Sequence, residues 1–74
     1  MEEKFIAAFA ECLEVDAESL STATYFKELP EWDSLTLLNV MAMLEDEFAF
    51  QISRQQLDQA NTLQDLLILI EKAG

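Results

Sequence analysis

Between Trp32 and Phe48 the chain carries apolar residues at two separate helical angles, and this run limits the fold more than any other. On a helical wheel at ~100° per residue, Leu37, Val40, Met41, Leu44 and Phe48 gather on one side, the i, i+3, i+4, i+7 spacing of a stripe that packs inward. Roughly a third of a turn away lie Leu35, Leu38 and Ala42, with Ser34 at the helix start and Glu45 and Asp46 at its far end. The first stripe requires other helices to cover it. The second is excess apolar surface on a highly charged chain, the mark of a docking face. Ser34 sits where helix and loop meet, so its hydroxyl is expected within reach of solvent. Two roles stay open for it: a helix cap, alone or shared with Asp33, or a site of chemistry. Trp32 reads as a hydrophobic staple or lid over the helix start.

The rest of the chain supplies the covering helices. From Glu2 to Glu14, Phe5, Ile6, Phe9 and Leu13 recur at helical spacing opposite Glu2, Glu3, Glu11 and Glu14, which predicts a first helix. Val15 through Leu29 mixes turn-forming Asp16, Ser19, Ser21, Thr22 and Thr24 with Val15, Leu20, Tyr25, Phe26 and Leu29. That pattern predicts a long ordered loop with a short helical turn, pinned by its apolar residues, and loops of this length tend to be anchored or functional. Pro30 stops any helix from running through. After Phe48, Phe50-Gln51-Ile52 extends briefly, and Ser53-Arg54-Gln55-Gln56 offers a capping box for a short third helix to about Gln59 that donates Leu57 to the core. Thr62 and Asp65 repeat the device before a final helix bearing Leu63, Leu66, Leu67 and Ile70, with Ile68 and Leu69 widening its apolar side and Gly74 closing the chain. The expectation is an all-α four-helix bundle over residues 1–74 as one domain, with three longer helices, a short third helix and a long first loop.

Composition removes several classes of function. A chain of 74 residues with one cysteine and no histidine has neither an internal disulfide nor the usual zinc or copper ligands, so its fold rests on packing alone. Cys12 beside the apolar stripe reads as a half-buried filler, with no cationic neighbour to activate its thiol. Ser34 as a nucleophile needs a base, and no histidine is present, while Lys4, Lys27 and Lys72 carry no motif that places them beside it. Glu45, Asp46 and Glu47 lack the spacing and central glycine of a calcium loop and read as a solvated acidic face, with weak Mg²⁺ or Ca²⁺ association as the alternative; no dedicated metal site is expected, and a chain this small, with no base for Ser34, is not expected to be an enzyme by itself. A net charge of −11, from 15 acidic and 4 basic residues, repels nucleic acid and anionic lipid but speeds encounter with basic protein surfaces. The apolar runs are too short to span a bilayer, and Met1-Glu2-Glu3-Lys4 lacks a basic leader region, so a soluble, cytoplasmic, monomeric protein is expected.

Asp33-Ser34-Leu35 followed by Leu44-Glu45-Asp46-Glu47-Phe48, then Ile52 and Thr62-Leu63-Gln64, resembles the acyl carrier proteins, whose signature is D-S-L at the start of the second helix and L-E-E-E-F further on. The likeness covers essentially all of the chain. It implies that Ser34 carries 4′-phosphopantetheine, transferred from coenzyme A by a phosphopantetheinyl transferase, and that the arm holds acyl or aminoacyl groups as thioesters. By the same likeness a loading ligase and synthase or acyltransferase enzymes are the other partners, met by Glu31, Asp33, Leu35, Leu38, Asn39, Ala42, Glu45 and Asp46. The chain departs from the common fatty-acid form at Leu29-Pro30-Glu31-Trp32, where a glycine is usual shortly before D-S-L. It departs again at Asn39, where an acid is frequent, and at Ser53-Arg54-Gln55-Gln56, where the common form is acidic. The W-D-S-L form resembles discrete carriers of specialised routes to polyketides, aminoacyl products or modified saccharides. Set against all of this is an unmodified acidic helical adaptor that binds a basic protein through the Leu35, Leu38, Ala42 face.

Overall fold

A computed structural model describes residues 2–73, so the expected closing role of Gly74 lies outside the described residues. Four α-helices run in the order α1 (Glu2–Leu13), α2 (Ser34–Phe48), α3 (Arg54–Gln59) and α4 (Leu63–Ala73). With 12, 15 and 11 residues in α1, α2 and α4 and 6 in α3, this is the expected all-α bundle. α1 packs on both α2 and α4. It stops one residue earlier than its pattern suggests, because Glu14 turns left-handed at φ 60° and the Val15 amide donates back to the Ala10 carbonyl at 3.1 Å. That bond and the Glu14 amide to Glu11 form a Schellman cap with glutamate in the position glycine usually holds.

The first loop is ordered by two short 3₁₀ turns, Ala17–Ser19 and Phe26–Glu28. Leu20 and Phe26 are buried and pin it to the core, as expected. Tyr25 does not: it is 56% exposed, since Phe26 takes the inward position and its neighbour in so tight a turn must point away. The loop is also tied to α4, whose first amides lack intrahelical partners. The Leu63 and Gln64 amides donate to the carbonyls of Thr24 and Thr22 at 3.1 and 2.9 Å. Both sequence-encoded caps form. Ser53 Oγ accepts from the Gln56 amide and Gln56 Oε1 from the Ser53 amide, each at 3.0 Å. Thr62 Oγ1 likewise accepts from the Asp65 amide while Asp65 Oδ2 accepts from the amides of Asn61 and Thr62.

Phe5, Phe9, Phe26, Val40, Leu44, Leu57, Leu63 and Leu66 fill the centre. The inward side of α2 is narrower than its apolar residues imply: Val40 and Leu44 are sealed, whereas Leu37, Met41 and Phe48 are only partly buried at the margin. Ile6 is likewise marginal, and Ile68 does not widen the core but faces outward, beyond the edge that Leu69 forms. An aromatic chain crosses the interior. Phe9 meets Phe5 at 5.8 Å and Phe26 at 5.7 Å, and Trp32 both stacks on Phe9 (6.1 Å, 2° between planes) and meets Phe26 edge-on at 5.0 Å.

Apart from the capping Asp33, the charges of α2 run against its dipole. Its first turn holds no acid and its last turn no base, while Glu45, Asp46 and Glu47 crowd the end where backbone carbonyls already concentrate negative charge. Lys4 offsets part of this, with Nζ 3.5 Å from the Glu47 carbonyl and 5.4 Å from the centre of the Phe48 ring.

Candidate functional site

Which of two adjacent residues caps α2 decides what Ser34 is free to do. Asp33 takes the cap: its backbone is extended (φ −149°), its Oδ1 accepts from the Thr36 amide at 2.8 Å, and its carbonyl accepts the first helical bond, from Leu37. The Thr36 amide holds the Asp33 carboxyl below the usual carboxylate range, so it stays an acceptor. Ser34 therefore does not cap, contrary to one of the two roles its position allows. It is the first helical residue, exposed, and among the described residues its hydroxyl has no hydrogen-bond partner. Thr36 braces the approach from below. It is buried, and its Oγ1 donates to the Glu31 carbonyl at 3.2 Å, while the Trp32 amide closes a turn onto Leu29 at 3.0 Å. Trp32 packs inward on Phe9 and Phe26, so the segment entering Ser34 is anchored on the core.

The residues expected to face partners all lie at the surface. Leu35 and Leu38 are 67% and 60% exposed, and Glu31, Asp33, Asn39, Ala42, Glu45 and Asp46 are exposed with them. The face has two borders. On one, Asn39 and Asp46 line an open groove of about 550 Å³ against α1 together with Cys12. There burial pushes the Cys12 thiol up and Glu11 adds to the effect, so it remains an inert filler. On the other border, Ser34 opens onto a groove of about 300 Å³ shared with Lys27, Trp32, Leu37 and Arg54, and onto a smaller recess of about 140 Å³ with Leu37, Leu38 and Arg54.

Sequence reasoning found no motif to place Lys27 beside Ser34 and missed Arg54, yet both line the groove that Ser34 opens onto. The only signal was scarcity: with 4 basic residues in the whole chain, the position of each carries information. Lys27 is not a base for Ser34, because its ammonium donates to the Asp58 carbonyl at 2.7 Å and lies near the Leu57 carbonyl and the Phe26 ring. Among the described residues no group of three or more cysteines and carboxylates is placed to hold a metal ion, and no helix is long and apolar enough to cross a membrane.

Comparison with known proteins bears on this geometry. Residues 3–70 match the family model described as a phosphopantetheine attachment site. The chain is 36% identical over 70 residues to the acyl carrier protein of Onion yellows phytoplasma (strain OY-M) and 34% identical over 70 residues to that of Phytoplasma australiense, covering 95% of this chain and 92% of each relative. It is 32% identical over 71 residues to the acyl carrier protein of Chlamydia caviae, covering 96% and 92%. The prosthetic group that this family implies, covalently bound 4′-phosphopantetheine, needs an accessible hydroxyl and room for a chain beside it. The unpartnered Ser34 hydroxyl and the grooves that it opens onto fit that need. Matched along nearly its whole length, this chain belongs to the acyl carrier protein family, whose members are carriers and not enzymes.

Proposed function

We propose that Ser34 is the residue on which this carrier holds its 4′-phosphopantetheine. The observation that carries the reading is the division of labour at the start of α2, where Asp33 makes the cap and Ser34 is left exposed one residue later. In the attachment reaction Ser34 Oγ forms the new bond to the phosphorus next to the pantetheine of coenzyme A. The pyrophosphate bond to that phosphorus breaks, 3′,5′-ADP leaves, and the serine proton goes to a base of the phosphopantetheinyl transferase. On this chain there is no histidine to take it, and Lys27 is engaged with carbonyls. When bound, the arm supplies a thiol that holds acyl or aminoacyl groups as thioesters.

The chain's own residues bind and orient. Leu35, Leu38 and Ala42 give partner enzymes an apolar patch, and Glu31, Asp33, Glu45 and Asp46 with Asn39 surround it with acceptors for basic side chains. The partners are the transferase, a loading ligase, and synthase or acyltransferase enzymes, served by a single monomeric domain in the cytoplasm. Trp32 before Asp33, Asn39 and Arg54 favour a dedicated biosynthetic route over housekeeping fatty-acid synthesis. Incubation with coenzyme A and a broad-specificity transferase is expected to add the mass of one phosphopantetheinyl group, and Ser34→Ala to add none while melting like the wild type. A wild type that stays unmodified while another carrier loads refutes the reading. Full biological function in Ser34→Ala supports the unmodified adaptor instead.

A further inference from the structure

Arg54 is the residue whose placement the carrier function leaves unused. It stands in the stretch Ser53-Arg54-Gln55-Gln56, it is the chain's single arginine, and it lines both spaces that open at Ser34. Two of the 4 basic residues border the larger of these grooves, along with the carboxylates of Asp33 and Asp58, whereas the smaller recess has Arg54 as its one charged residue. Lys27 is held there by two backbone carbonyls, at 2.7 and 3.5 Å. Arg54 is not held so: its side chain is 71% exposed, and its carboxylate partner is Asp58 one turn on, with Nε to Oδ1 at 3.6 Å, a loose i,i+4 surface pair. A phosphodiester on Ser34 Oγ adds an anion to a chain already at −11, at the mouth of the recess that Arg54 also lines. The guanidinium fork matches phosphate oxygens two at a time, and an anion tethered next to it meets it at high effective concentration.

We infer that Arg54 is a positioning residue that holds the phosphodiester of the group carried on Ser34, fixing the root of the arm in the recess bordered by Leu37 and Leu38. The inference rests on the reading of Ser34 as the attachment point. The contact is intramolecular, so it belongs to the isolated holo protein and needs no partner enzyme. Asp58 competes with the phosphate for the same guanidinium, so its removal tightens the hold.

The test uses holo protein loaded with carbon-13-labelled coenzyme A, in wild-type, Arg54→Gln, Arg54→Lys and Asp58→Asn forms. The readouts are the phosphorus-31 resonance and the order parameter of the arm carbon next to the phosphate. In Arg54→Gln the order parameter is expected to fall below ~0.6, the range of flexible segments, with the phosphorus resonance moving toward that of a free phosphodiester. Arg54→Lys restores part of the restraint, and Asp58→Asn keeps or strengthens it. Identical arm order and phosphorus resonance in wild type and Arg54→Gln overturn the inference, and a changed loading rate alongside them makes Arg54 a contact for the transferase instead. Equal loosening in Asp58→Asn and Arg54→Gln also overturns it, because the effect then follows the Arg54–Asp58 pair and the folding of α3. A chain that takes up no group at Ser34 overturns the attachment reading first and this one with it, a result told apart by intact mass.

Discussion

Truncating the two exposed leucines of α2 separates a docking face from a core face by a number that the structure supplies. Leu35 and Leu38 are 67% and 60% exposed, so Leu→Ala at either position removes little from the folded chain. Surface changes of this kind stay within about 0.5 kcal/mol of stability, a shift of under ~4 °C in melting temperature for a domain of this size. Against a partner the same truncation removes three carbons. At ~0.8 kcal/mol for each buried carbon, and with about two thirds of the residue available to be covered, Leu35→Ala loses ~1.6 kcal/mol of binding. That corresponds to a fall of ~15-fold in affinity, and the smaller exposed share of Leu38 gives ~10-fold. The two sit one turn apart on one patch, so the double variant departs from simple addition. The assay is titration of the apo protein with a phosphopantetheinyl transferase, paired with thermal melts followed by far-ultraviolet circular dichroism. Variants that melt more than ~10 °C below the wild type while binding normally refute the reasoning, since that result puts the leucines in the core.

Trp32→Ala is expected to act in the opposite sense, on the fold. It deletes a stack on Phe9 and an edge contact on Phe26, a loss of ~2–3 kcal/mol or ~10–20 °C, with Trp32→Phe recovering about half; a drop under ~4 °C counts against the anchoring role of this residue. Asp33 and Asp65 give a pH signature. Amides hold both carboxyls low, that of Thr36 for Asp33 and that of Asn61 for Asp65, so their folded values lie beneath the unfolded ones. Their contribution is complete above the ordinary carboxylate value of ~4 and is lost as pH falls through the folded one, so the gap in urea midpoint between wild type and Asp65→Asn closes toward acid. A gap of constant width from pH 7 to pH 2 refutes the assignment.

The helices and two of their caps could be read from the chain because the signals are local. Ser53 with Gln56 and Thr62 with Asp65 meet within one turn, and the spacing of Phe5, Phe9, Val40, Leu44, Leu66 and Ile70 survives any tertiary arrangement. What could not be read depends on comparisons between neighbours or on contacts across the bundle. Asp33 and Ser34 are both good caps, and a one-residue shift in the start of α2 exchanges their roles, so the freedom of the serine hydroxyl waits on the structure. Tyr25 and Phe26 differ little in apolar character, yet the tight turn admits only one of them inward. Arg54 and Lys27 reach the mouth of the Ser34 groove from separate segments, and no periodicity relates them. Leu35 and Leu38 were legible as surplus, because Val40 and Leu44 already satisfy the inward side.

The inverted charges of α2 bear on how this helix answers a visitor. The carboxylates of its last turn stand where the peptide dipoles oppose them, and Lys4 relieves only the last residues. On the docking face proposed above, a basic surface laid along Glu45 and Asp46 would cancel that opposition, and the contact would then wind the second helix more firmly. Docking and stiffening would then be one event, and a variant with lysines grafted into this final turn, sturdier alone, would have less to gain from any company it keeps.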